Sequence, residues 1–166
     1  MLMSDHQASE IRAKIMNWSD LLFAAKGRIG RKAWWIGVGI LIAWAIASFY
    51  LTWTLFADGM FRSFFGRLVS LPFNLLTIYV SYNLAAKRFN DRARPVIVAQ
   101  AVAVFWLLKA ALDLVGLSGN PRNQNGLDTL FQTIGTGIGL WYFIELGCLR
   151  GTVGPNAHGE DPVPAT

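Results

Sequence analysis

Charged residues fall along this chain so that four long apolar stretches carry almost none. From Ala33 to Phe56 there are 24 consecutive uncharged residues. At about 1.5 Å per helical residue they extend about 36 Å, more than the roughly 30 Å of hydrocarbon in a bilayer. Leu68 to Ala86 adds 19 more uncharged residues, Val96 to Leu117 holds only Lys109 and Asp113, and Thr129 to Leu149 holds only Glu145. Inside lipid no water reaches a backbone amide, so each stretch has to close its own hydrogen bonds and is predicted as an α-helix. The pattern therefore predicts an all-α fold, an integral membrane bundle of four transmembrane helices spanning about 33–56, 68–86, 96–117 and 129–149. Before them Ile11, Ile15, Trp18 and Leu22 recur at steps of three and four. That period predicts an N-terminal amphipathic cytoplasmic helix, lying on the membrane surface or packed on the protein itself. Three regions follow: an amphipathic arm over 1–26, the membrane domain over 27–150, and a cytoplasmic tail over 151–166. The tail's glycines, prolines and lack of apolar period predict an extended or disordered segment.

Details within the spans refine this picture. Gly39, Ala43 and Ala47 in the first and Gly135 and Gly139 in the fourth place small residues four apart, a spacing that lets helix backbones approach closely, so these two helices are predicted partners. Pro72 falls in the predicted first turn of the second helix, where its missing amide proton costs little. Asn74, Ser81, Tyr82 and Asn83 are expected to turn inward. Asp58 and Gly59 predict a turn, and Phe61, Phe64 and Phe65 beside Arg62 and Arg67 an interfacial connection before the second span. Lys109 and Asp113 lie four apart on one helical face and predict an intramembrane ion pair, because an unpaired charge at that depth costs a few kcal/mol.

Charge then sets orientation. Of the Lys and Arg residues outside the spans, eleven fall on the side of the termini and the Lys87–Arg94 loop, and three on the other. The positive-inside rule places both termini in the cytoplasm. Trp34 and Trp35 follow the basic run Arg28 to Lys32, the order expected where a chain enters the headgroup region. Hydrophobic residues make up 54% and charged residues 15% of the chain, so the net charge of +5 reports topology and anionic lipid and not nucleic acid. One cysteine, Cys148, and two histidines, His6 and His158, offer no disulfide and no metal-ligand cluster. No cofactor is expected. Asp5, Glu10 and Asp20 interrupt the basic region that a cleavable signal would need, so the first span is expected to remain in the protein.

Three segments carry a resemblance. Gly27-Arg28-Ile29-Gly30-Arg31-Lys32-Ala33-Trp34-Trp35 opens the first span, Lys87-Arg88-Phe89-Asn90-Asp91 closes the second, and Gly151-Thr152-Val153-Gly154-Pro155-Asn156 with Gly159, Asp161 and Pro162 forms the tail. In order and spacing the chain resembles the YhaH/YhaI-like family of small bacterial inner-membrane proteins, a domain of unknown function (family 805), over roughly 19–162. The family pattern usually has a histidine where Asn90 stands. The resemblance implies a multi-pass protein of the bacterial inner membrane and brings no activity with it.

All three segments map to the predicted cytoplasmic side. Arg28, Arg31, Lys32, Lys87, Arg88 and Arg92 are therefore candidates to bind an anionic lipid or a membrane partner, with Asp91 and Glu145 as acids that orient the guanidinium groups. No nucleophile and base stand at a recognisable spacing, and the tail glycines lack the Gly-Lys-Ser/Thr ending of a phosphate loop. The sequence reads as a non-enzymatic membrane protein whose expected partners are anionic membrane lipids and either further copies of itself or another membrane protein. The alternative is a small transporter or channel-like oligomer that uses Lys109, Asp113 and Glu145.

Overall fold

The computed structural model describes residues 18–56, 64–118 and 124–162. Among the described residues five α-helices follow one another: α1 (Trp18–Phe23), α2 (Arg31–Phe56), α3 (Phe64–Asp91), α4 (Ile97–Leu114) and α5 (Gly126–Tyr142). A π-helical segment, Phe143–Cys148, continues α5 without a break. No strand occurs among the described residues. Helix α3 is central, packing on α2 along one side, on α4 along another, and on α1 near its end.

Among the described residues three helices are long and apolar enough to cross a membrane: Arg31–Thr54, Phe64–Asp91 and Ile97–Leu114. Their outward faces carry Ile42, Ile46, Phe49, Val104 and Leu108, all more than half exposed. Water would penalise such surfaces and lipid would not, which is the distribution of a membrane protein. The core is concentrated at one end, where Leu21, Ile29, Trp34, Leu84, Phe89 and Leu146 form a single buried cluster.

Several boundaries differ from the sequence-based expectation. Helix α3 does not stop at Ala86. Lys87 to Asp91 form its last helical turn, all of them buried. Charge marks where lipid must end, whereas a helix runs on if protein supplies partners for the charges. At the other end α3 begins with Phe64 and Phe65, so Pro72 stands inside the helix, beyond its first turn, and leaves the Leu68 carbonyl without its amide donor. Helix α5 starts earlier than expected, at Gly126, because Asn125 and Asp128 form a reciprocal capping box: the Asp128 amide donates to Asn125 Oδ1 at 3.0 Å and the Asn125 amide to Asp128 Oδ2 at 3.1 Å. Helix α4 ends at Gly116, where φ is +81° and the amides of Gly116 and Leu117 turn back to the carbonyls of Asp113 and Leu112. Trp34 is 5% exposed and is a core residue, not a lipid-boundary anchor.

Ile11 and Ile15 of the predicted arm lie outside the described residues, as do Asp58, Gly59 and Phe61. Only Trp18–Phe23 of the arm is seen as helix. The small-residue faces do not meet. Nothing among the described residues would touch a Cβ added at Gly39 or Gly139, Ala43 and Ala47 are exposed, and Gly135 lies against the Trp106 indole of α4. Helix α5 reaches α2 mainly through the π-helical segment.

Candidate functional site

The last turns of α3 fasten three separate pieces of chain. On one side Tyr79, Asn83 and Lys87 lie four apart and so line one face. A helix as short as α1 ends in carbonyls with no successor amides. Tyr79 Oη donates to the Phe23 carbonyl at 2.9 Å, Asn83 Nδ2 to Leu22 at 3.0 Å, and Lys87 Nζ to the carbonyls of Asp20 and Leu21. An ammonium at a helix C-terminus also meets the negative end of the helix dipole.

The next face holds the charge cluster. Asp91 lies between two guanidinium groups, that of Arg28 at 3.1 Å and that of Arg88, and the side chains of all three are 3% exposed or less. One carboxylate cannot satisfy two guanidiniums, and carbonyls take the remaining N–H groups. Arg88 Nε donates to Leu146 at 2.7 Å and Nη2 to Leu149, while Arg28 donates to Thr152 at 2.7 Å, Gly154 at 2.8 Å and Gly159 at 3.1 Å. The planar fork of arginine suits this crossing of several chain segments, as lysine would not.

The tail is consequently held, against the expectation of an extended or disordered segment. Thr152 donates from both its amide, at 2.8 Å, and its hydroxyl, at 2.9 Å, to the Asp91 carbonyl. Asn156 Nδ2 donates to the Asn90 carbonyl at 3.0 Å, and the Gly154 amide to Asp161 Oδ2 at 2.9 Å. Gly151 runs so close that an added Cβ would collide with the Asp91 carboxylate. Asn90 Nδ2 donates to Gly27 at 3.1 Å, which ties in the turn before α2, and its buried Oδ1 has no partner among the described residues. Nearer the surface Arg92 Nε meets Glu145 Oε1 at 3.0 Å and Arg94 approaches it at 3.6 Å.

Of the six cations expected to meet an anionic ligand, Arg28, Lys87, Arg88 and Arg92 are thus engaged inside the protein. Arg31 and Lys32 remain exposed, Arg31 donating to the Cys148 carbonyl at 3.1 Å. Both orienting acids sit beside guanidiniums, Asp91 with Arg28 and Arg88, and Glu145 with Arg92 and Arg94. Glu145 is at the end of the molecule opposite Lys109. There Lys109 Nζ contacts Asp113, Asp128 at 3.3 Å and Ser118 Oγ at 3.3 Å.

Asp128, Thr152 and Asn156 were not singled out from sequence. Asp128 reads there only as a loop acid, and nothing in spacing brings it to Lys109. Thr152 and Asn156 stand inside the tail segment already quoted, the one signal that pointed to them. Among the described residues no group of His, Cys, Asp and Glu is arranged to hold a metal ion.

The segments that build the clamp, from the turn before α2 through the tail as far as residue 160, lie within a stretch on which the chain matches other proteins. A family model described as "Protein of unknown function (DUF805)" matches residues 22–160. The "Uncharacterized protein YiiR" of Escherichia coli K12 is 30% identical over 149 residues, covering 89% of each chain, and that of Escherichia coli O157:H7 matches equally. No solved structure matches significantly. With the match running from α1 through the held tail, this chain belongs to the DUF805 family.

Proposed function

We propose that this chain is a non-enzymatic, four-span protein of the bacterial inner membrane, with both termini cytoplasmic, whose clamped cytoplasmic face binds anionic lipid or a membrane partner through its remaining exposed cations. The fourth span is α5 with its π-helical continuation, uncharged from Thr129 to Ile144. The observation that carries the reading is the division of labour among the cations. The buried Arg28–Asp91–Arg88 cluster locks the face into one shape, while Lys26, Arg31, Lys32, Arg94 and Arg150 stay exposed around it. Each exposed cation near an anionic surface contributes about 1 kcal/mol, and salt screens it.

The test is lipid retention by purified protein in mild detergent, read by native mass spectrometry with phosphatidylglycerol. Arg31→Gln combined with Lys32→Gln and Arg150→Gln should lower retention at low salt, and high salt should erase the difference. Equal retention by both proteins at low salt would remove the anionic-lipid reading.

A further inference from the structure

The end of the molecule away from the clamp encloses a cavity of about 770 Å³ between α2, α3, α4 and α5, reaching the connection that holds Ser118 and Asn125. A second cavity of about 540 Å³ continues it toward Tyr142, the two sharing Asn74, Thr77, Lys109 and Gln132. Such a volume suits a small ligand. Its lining sets polar and charged groups among apolar ones, in a part of the chain that lipid otherwise surrounds.

Among the described residues four charges line it, and these balance. Lys109 bridges Asp113 and Asp128, but the Asp113 side chain is 37% exposed and only its Oδ1 takes the ammonium. Arg67 has no carboxylate partner among the described residues; its guanidinium rests on Gly116 at the carboxyl end of α4. The side-chain amides of Asn74 and Gln132 line the cavity with no hydrogen bond among the described residues. The hydroxyls of Thr52, Ser70 and Thr77 give their protons to carbonyls of their own helices, Thr52 to Ser48 at 2.7 Å and Thr77 to Phe73 at 2.8 Å, and so face the cavity as acceptors.

An acyl chain filling this space would strand a guanidinium, a carboxylate oxygen and two amides in a low-dielectric site, each at a cost of kcal/mol order. A ligand of net charge would leave its own charge uncompensated among four that already cancel. A zwitterion avoids both penalties. The cavity is partly open, and Phe49, which lines it, is 58% exposed on the apolar outer surface. We infer that the cavity is a binding site for a phosphoethanolamine zwitterion, its phosphate on Arg67 and Gln132 and its ammonium on Asp113 and the hydroxyl acceptors. The same headgroup chemistry is available from phosphatidylethanolamine in the surrounding membrane or from free glycerophosphoethanolamine in water.

The experiment uses the full chain in nanodiscs, extracted into detergent at about 0.5 M salt, where screening removes diffuse attraction to the exposed cations of the opposite face. Retained phosphatidylethanolamine is measured for the wild type, Arg67→Gln and Gln132→Leu, with monodispersity and helicity checked. Loss of a charge-assisted phosphate contact should lower retention about tenfold in Arg67→Gln, and Gln132→Leu should lower it less. Gln132→Leu places an apolar side chain where an uncommitted amide stood, so it remains a valid test if Arg67→Gln fails to fold. Displacement of the lipid by glycerophosphoethanolamine would identify the headgroup alone as ligand, and no displacement would identify the intact lipid. Wild-type retention in Gln132→Leu and in folded Arg67→Gln, or no phosphatidylethanolamine retained by the wild type, would overturn the inference.

Discussion

Asp91 is the residue on which one end of the molecule turns. Its carboxylate lies between two buried guanidiniums while its backbone carbonyl receives two donors from Thr152. Removing one partner of a buried charge cluster leaves the others uncompensated, which costs about 3–5 kcal/mol, whereas an exposed pair is worth about 0–1 kcal/mol. Asp91→Asn is therefore expected to destabilise the protein by that larger amount, and Arg94→Gln, whose side chain is 61% exposed, by the smaller. Unfolding of the detergent-solubilised variants, followed by tryptophan fluorescence, measures both. Similar losses from the two substitutions would show that the buried carboxylate is not holding the tail and α2 to α3.

Among the elements, the π-helical segment is the one whose form depends most on its neighbours. Its wider turn presents the Gly147 carbonyl to Trp35 Nε1 at 3.2 Å, and a Cβ on Gly147 would come within 2.8 Å of Trp35 and 2.9 Å of Trp34. The Trp34 ring is buried and rigid, so it cannot give way cheaply. Gly147→Ala should cost about 1–3 kcal/mol through overpacking. Gly139→Ala, in the α-helical part of the same run with open space beside it, should be neutral or stabilising by up to about 1 kcal/mol from helix propensity. Thermal midpoints of the two variants provide the comparison, and equal shifts would contradict the packing of this segment on the two indoles.

For the whole molecule, the proposed topology makes the α4–α5 connection external and the tail internal. In a Cys148→Ser background, Gln124→Cys should react with an impermeant maleimide in intact cells, and His158→Cys only after permeabilisation. Labelling of His158→Cys in intact cells, with Gln124→Cys silent, would reverse the orientation. The two ends also divide the polar chemistry between them. One end is filled by a clamp whose buried cations are all paired, and the other holds a balanced but incompletely paired cavity.

Length, composition and the spacing of charges were enough to determine an all-helical chain with long apolar helices, because lipid leaves the backbone no alternative and tolerates few unpaired charges. The three segments that build the clamp were also legible, as Gly27–Trp35, Lys87–Asp91 and Gly151–Pro162. Sequence could not say that their cations point inward. An arginine beside a membrane reads the same whether it faces a headgroup or a carbonyl, and only the tertiary structure showed Arg28 and Arg88 enclosed by Asp91 and the tail's backbone. Small residues four apart in α2 and α5 were likewise visible, yet Gly135 lies against the Trp106 ring of α4 and nothing among the described residues meets Gly39 or Gly139, a matter of how the helices assemble. Asp128 joined Lys109 for a similar reason: local capping fixed its place on α5, and the approach of α5 to α4 brought it to the ammonium. Periodicity and charge act along the chain and can be read there, whereas which polar groups share a buried space depends on how the helices close around it.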